Sequence, residues 1–379
     1  MHVVIAPDSF KESLTAQEVA QAIQTGFARI FPNATYTLVP MADGGEGTVQ
    51  SFIDATGGKQ MQSAVTSPLG EQVHAHWGLS GDGQTAIIEM AAASGLHLVP
   101  MPQRNPEITT SFGTGELIKT ALDHRVNTII LGIGGSATND GGVGMLQALG
   151  AHFYDNANQE LPYGGAALAQ LTRVDLSQLD ERLGEVRLLI ACDVDNPLTG
   201  KQGAAVVFGA QKGADDAMIT RLDNALAHFA HIVQQQLGLD IANAKGAGAA
   251  GGMGAGLMLL PNATLRSGVE IMLNAVDLES KVRSADLVIT GEGRMDGQTV
   301  HGKTPIGVAR CAKVHNKPVI AIVGCLRADY VAVYDHGIDA VFPIIQRLDS
   351  LENTLKCGAQ NLQSCAENVA RLYRLLTAL

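Results

Sequence analysis

Short, continuous apolar runs alternate with stretches of helical periodicity at both ends of the chain, while the middle follows a different rule. Residues 2–6 read as a buried strand. Thr15 and Glu18 then stand at capping-box spacing, ahead of a helix whose apolar stripe is Val19, Ile23, Phe27 and Ile30. Residues 35–40 predict a second strand, MADGGEG a loop, and residues 48–55 a helix closed by Gly57 and Gly58. Strand, helix, strand, loop, helix is the opening of a parallel α/β sheet. The same pattern returns late: residues 285–290, 318–323 and 339–344 are strand-length apolar runs, with helical stretches such as 305–315 between them.

The block between departs from that rhythm. Residues 72–79 and 85–90, joined by SGDGQ, predict a hairpin that a purely parallel sheet would not contain. A helix over 114–124, strands over 128–132 and 186–191, and a long helix over about 215–237 follow. GAGAAGGMGAG at 246–256 reads as small residues for close helix packing. Like strands at both ends around an unlike block predict an α/β protein of two domains. One is a discontinuous parallel-sheet, Rossmann-like domain made of residues 1–67 and 280–379; the other is a mixed α/β domain inserted at 68–279. The linkers are expected near 66–70 and 277–284.

Composition narrows the function classes. A chain of 379 residues, 46% hydrophobic and 17% charged, can bury two cores, and a mean hydropathy of +0.12 suits a soluble globule. The formal charge of −11 argues against a nucleic-acid partner. Five Cys show neither CxxC spacing nor a disulfide frame, which leads to an expected reduced, cytoplasmic setting. Because the chain enters a strand-like run at once and has no long apolar span, neither a signal peptide nor a membrane partner is expected. Oligomeric state leaves no mark in the pattern. With 43 Gly and no low-complexity repeat, many backbone positions are expected at turns or near a ligand.

The chemistry gathers where strands end. In IILGIGGSATNDGGVG, residues 129–144, an apolar run breaks into Gly pairs around SATND. A strand there would deliver Gly134, Gly135 and Ser136, with Asn139 close behind, as bare N–H groups facing an anion, and a following helix would aim its amino end at the same spot. A tight turn explains the same residues. Ligands of open parallel sheets sit beyond the carboxyl ends of the strands. Those ends carry Asp8, Ser9 and Lys11, then Asp43, Gly44, Gly45 and Glu46, then Gly291, Glu292, Gly293, Arg294 and Asp296. In CDVDNP, Asp193 and Asp195 at alternate positions could share a divalent cation or crowd a hydroxyl; an Asx turn before Pro197 is the competing reading. Ser111, Gly113 and Thr114 could hold a carboxylate or phosphate at a helix start, or simply cap it.

GQTVHGKT at 297–304 satisfies the P-loop expression, but six residues separate it from the preceding strand, so Lys303 is taken as a phosphate contact without the P-loop fold. The first βα turn, PDSFKESL, has no Gly, which excludes a dinucleotide fingerprint. No GxSxG or HExxH occurs. Carboxylates, a few cations and Gly-rich loops fit phosphoryl transfer, in which carboxylates carry Mg²⁺ and an Asp takes the acceptor proton.

IAPDSFKESL, ADGGEGT, IEMAAASGL, SFGTGELI, GIGGSATNDGG, ACDVDNPL, GAAGGMGAGL and ITGEGRMDGQ together resemble the bacterial type 1 glycerate kinase family, in order and over essentially the full chain. The resemblance implies ATP-dependent phosphorylation of D-glycerate, with 2-phosphoglycerate as product. It also implies two α/β domains, one inserted in the other, with the site in the cleft between them. ATP and Mg²⁺ are the expected cofactors, and glycerate and ATP the expected small-molecule partners. Asp193 is the first choice of base; Asp8, Asp43 and Asp195 are alternatives or metal ligands, Glu292 supports them, and Lys11, Arg294 and Lys303 are candidates for an anion. A non-catalytic small-anion sensor, or a kinase for another small hydroxy acid, would use the same loops.

Overall fold

The computed structural model describes residues 1–45 and 47–377. Its main sheets use β1 (His2–Ile5), β2 (Thr35–Leu38), β3 (Lys59–Thr66), β4 (Gln72–Leu79), β5 (Thr85–Glu89), β6 (Thr128–Gly132), β7 (Arg187–Ala191), β8 (Ala263–Arg266), β9 (Leu287–Thr290), β10 (Val319–Val323) and β11 (Ala340–Pro343). The chain divides into two compact units: Met1–Asp43, Gln50–Gly57 and Val269 onward form the first, Gly44–Val49 and Gly58–Gly268 the second. No helix among the described residues is long and apolar enough to cross a membrane.

The first unit holds a five-stranded sheet in the order β11-β10-β9-β1-β2, every pair parallel. Its strands are the continuous apolar runs of the sequence, fully buried in β9 and nearly so in β1, as a sheet covered on both faces requires. Counted within the unit, the order is 2-1-3-4-5, so the winding reverses between β1 and β9; a doubly wound sheet opens its ligand crevice at that reversal. Val19, Ile23 and Phe27 of helix Ala16–Ala28 pack with Leu362, Ala366 and Val369 of helix Gly358–Thr377. The capping box forms: Glu18 N–H donates to Thr15 Oγ1 at 3.2 Å, and Thr15 N–H to Glu18 Oε2 at 2.8 Å. Thr15→Ala is therefore expected to lower stability by about 1 kcal/mol, read as a shifted urea midpoint at constant m-value.

The second unit holds a six-stranded sheet, β8-β7-β6-β5-β4-β3. Strands β5 to β8 are parallel, while β3, β4 and β5 form an antiparallel meander that includes the expected hairpin. Its core joins Trp77, Ile88, Leu117, Ile129, Leu131, Phe153, Leu188, Ile190 and Phe229.

Two readings of the sequence need correction. The sequence pattern places residues 59–66 in the first domain and predicts no strand there; they pair with β4 over their whole length and belong to the second unit. The strand KQMQSAVT is mostly polar and buries only Val65 fully, so its apolar signal was too thin to read. Gly44–Val49 also leaves the first unit, and the later boundary falls at Gly268 rather than near 280. In 246–256 the small residues do serve close approach, but of loop backbone. Ala250, Gly251 and Gly252 take left-handed φ inside Ala249–Leu257, and a Cβ on Gly251 would lie 1.9 Å from the Thr138 carbonyl oxygen.

Candidate active site

At the winding reversal of the first unit, the turn after β1 carries Asp8 and the turn after β9 carries Glu292. Asp8 N–H donates to the Gly291 carbonyl at 2.8 Å, which locks the two turns side by side. Asp8 Oδ1 accepts from Ser9 N–H at 2.6 Å, and its Oδ2 from Thr304 Oγ1 at 2.8 Å. Burial, together with the negative charge of Asp43 after β2, lifts Asp8 to about 6 against the pull of those donors. Burial also lifts Glu292 to about 7, although Thr299 Oγ1 donates to its Oε1 at 2.6 Å and Lys303 stands 3.5 Å from its Oε2. Lys303 also reaches Asp296 at 3.7 Å, and Arg294, mostly exposed, stands 3.6 Å from the other Asp296 oxygen.

Both carboxyls have folded values raised above their unfolded ones, so their contribution to stability is complete below about pH 4 and is lost as pH rises through 6 and 7. The ligand-free protein is expected to lose thermal stability over that window. Glu292→Gln should flatten the upper part of the loss in a series of melting curves; an unchanged slope would assign it to other groups.

The second unit gathers its own groups at the carboxyl ends of β5, β6 and β7. Gly44, at φ +94°, is packed so closely that a Cβ would come within 2.9 Å of Ala191 Cβ and 3.1 Å of Gly268 Cα. Gly45 precedes the helix Thr48–Thr56, its carbonyl accepting from Thr48 Oγ1 at 2.7 Å, and Val49 N–H donates to Glu89 Oε1 at 3.0 Å. Asp193, exposed after β7, accepts from Gly268 N–H at 3.0 Å through Oδ1. Its Oδ2 would stand 4.0 Å from a Cβ on Gly44. After β6, Gly134 and Gly135 are exposed, and a Cβ on Gly134 would meet nothing within 4 Å, so packing does not demand a glycine there. Ser136 beneath them is buried and accepts from Lys212 Nζ at 2.7 Å. Asn139 is wholly buried, and neither of its side-chain polar atoms has a partner among the described residues.

Several expected roles take another form. Asp195 is more than four-fifths exposed and pairs with Lys245 at 3.6 Å, and between the two acids Cys192 Sγ donates to the Val194 carbonyl. Among the described residues no group of three or more His, Cys, Asp and Glu is assembled to hold a metal ion. The helix start at Ser111 does hold a carboxylate, but an internal one. Ser111 N–H and O–H both reach Asp140 Oδ2 at 2.8 Å. Gly113 is glycine because a Cβ would strike the Thr66 carbonyl oxygen at 2.0 Å, and Thr114 pairs with Ser94 at 2.7 Å.

The amino end of the helix after the central loop, Val143–Ala148, is likewise satisfied from within: Gly142 and Gly144 N–H donate to Asp140, and Met145 N–H to Ser111 Oγ. Burial pushes Asp140 up while these donors hold it down. Gly291 and Gly293 give room to neighbouring backbone, at Ile322 and Phe10, rather than baring N–H groups to a ligand by necessity. Residues 297–300 form a short helical turn capped by Asp296, not a phosphate cradle, so Lys303 does not belong to a P-loop. Lys11 is exposed, with no hydrogen bond or ion pair to the described residues; Glu46 lies outside them.

Sequence reading missed Lys212, Asp140, Thr299 and Thr304. A lone Lys in GAQKGADD and hydroxyls inside a false P-loop match carry no local signal of what they touch.

Carboxylates at a winding reversal in one unit, and exposed glycine turns at strand ends in the other, are the kinds of group that an α/β small-molecule kinase uses, since phosphoryl transfer asks for positioning and charge neutralisation. The model of the Glycerate kinase family matches residues 3–374. The chain is 62% identical to a glycerate kinase of Haemophilus influenzae, covering 98% of each chain, and 54% identical to a glycerate 2-kinase of Escherichia coli, covering 98% of this chain and 97% of that one. It is also similar to the crystal structure of a candidate glycerate kinase 2 from Salmonella typhimurium LT2, at 54% identity, full coverage of both chains and a TM-score of 0.93. The chain belongs to the glycerate kinase family.

Proposed function

We propose that the protein transfers the γ-phosphate of ATP to D-glycerate, giving 2-phosphoglycerate. The observation that carries this reading is the match over nearly the whole length to curated glycerate kinases, one of them a glycerate 2-kinase. The weakened acidity of Asp8 and Glu292 supports it independently, because carboxyls whose ionised state is unfavourable gain from a cation or a proton donor brought by a ligand.

Asp8 and Asp43 suit Mg²⁺, which keeps several waters and takes one or two protein carboxylates besides phosphate oxygens; the repulsion that lifts Asp8 is what such an ion would relieve. When bound, the ion neutralises charge on the phosphates. Glu292 holds Lys303 in place, and Ser9 and Thr304 fix the Asp8 carboxyl. Lys11, exposed and unengaged among the described residues, and Arg294 are the cations for an anionic ligand. Gly134 and Gly135 offer backbone to phosphate oxygens, with Gly44 and Gly45 bordering Asp193, which takes the hydroxyl proton of glycerate.

The test is ADP release coupled to NADH oxidation with D-glycerate, ATP and Mg²⁺, followed by ³¹P NMR of the product. A glycerate-dependent signal and a phosphorus resonance coupled to the C2 proton are expected. ATP binding without turnover would instead favour a sensor of small anions, and turnover only with another hydroxy acid would replace the acceptor.

A further inference from the structure

Among the described residues Lys212 is the one fully buried lysine, and the proposed reaction leaves it unused. It belongs to the short helical turn Ala210–Lys212, is 1% exposed, and reaches with Nζ into the turn after β6, donating to Ser136 Oγ at 2.7 Å and to the Thr138 carbonyl at 2.6 Å. Burying an ammonium is costly unless its hydrogen bonds and a counter-charge repay the lost hydration. Asp140, at the far side of the same turn, supplies that charge, while burial draws Lys212 down to about 7.

The consequence lies in the direction of one proton. A serine hydroxyl has a single hydrogen. Ser136 Oγ already accepts from Lys212, and its own O–H has no acceptor among the described residues. The backbone around it is fixed: Ala137 N–H donates to Ser94 O at 2.9 Å, Leu96 N–H to Gly135 O at 2.9 Å, and Ser136 bridges Gly95. The hydroxyl, buried and next in sequence to two exposed glycines, is therefore a spare donor with one lone pair already taken by Lys212.

We propose that Ser136 is a phosphate ligand of the nucleotide, donating its O–H to a phosphate oxygen, and that Lys212 is its positioning residue, holding the oxygen as an acceptor so that the proton points outward. The proposal rests on the reading of the 134–136 turn as the phosphate-facing loop. Lys212 acts through Ser136 and does not touch the nucleotide.

The experiment measures the Kd of Mg·ATP by calorimetry, and kcat and KM with D-glycerate, for the full chain and for Ser136→Ala, Ser136→Thr, Lys212→Met and the double variant. Ser136→Ala is expected to weaken ATP by about tenfold to a hundredfold, as for a hydrogen bond to a charged group, with the KM of glycerate unchanged. Ser136→Thr, which keeps the hydroxyl, should restore most of the affinity. Lys212→Met should match Ser136→Ala in ATP affinity, and the double variant should be no worse than either single one, the mark of two groups acting as a unit. Unchanged ATP affinity in Ser136→Ala overturns the proposal, whether or not Lys212→Met folds. Additive losses would reduce Lys212 to a structural lysine and overturn its positioning role. Wild-type protein that binds ATP with this pattern yet forms no glycerate-dependent ADP would refute the glycerate kinase reading and leave the phosphate contact standing.

Discussion

Asp8→Asn is expected to lower kcat by on the order of 10² or more while raising the melting temperature of the ligand-free protein at pH 8 by several degrees. The two effects have one cause. Asp8 is lifted to about 6 by burial and by Asp43, so at pH 8 the folded protein holds it ionised at a cost. An amide keeps an acceptor for Ser9 N–H, and the Thr304 hydroxyl can turn from donor to acceptor to meet the new NH₂. The substitution thus removes charge with little loss of packing. At pH 4, where Asp8 is already protonated, the gain in melting temperature should vanish. A gain at both pH values would point to packing, and unchanged kcat would take Asp8 out of the reaction.

Asp193→Asn is expected to lower kcat by on the order of 10² or more. Asp193 is exposed, so neutralising it recovers no desolvation cost. The hydrogen bond from Gly268 N–H to Oδ1 survives in the amide. What disappears is the capacity to take a proton. A profile of kcat against pH separates the two carboxylates: loss of a base removes the acid limb, whereas loss of a group that holds the metal ion lowers the curve throughout. Near-normal turnover in Asp193→Asn would hand proton abstraction to Asp8.

The sequence carried more of the framework than of the contacts. Continuous Val, Ile and Leu runs announced β1, β6, β9 and β10 because a parallel strand covered on both faces has nothing polar to dilute its signal. Thr15 and Glu18 announced a helix start because both halves of the box lie within one turn. Strand β3 gave no such notice: its exposed positions are Lys59, Gln60, Gln62 and Ala64, and its identity depends on β4. Asp8, Asp43 and Glu292 were legible as strand-end acids, since doubly wound sheets put ligands there. What Ser111 does was not legible. The rule that helix starts hold carboxylates was right, but the carboxylate, Asp140, comes from the protein itself, 29 residues on. Lys212 was invisible for the same reason, its partners lying 74 and 76 residues away.

The divided first unit also sets a timetable for biosynthesis. Strand β1, near the middle of its sheet, needs β9 as a neighbour, yet the whole of Gly58–Gly268 is translated between them. The later-starting unit can close its sheet on the ribosome while the amino-terminal strands wait for Leu287 to emerge. During that interval the apolar strand β1 lacks one of its two neighbours, and a slowly translated message would lengthen its exposure.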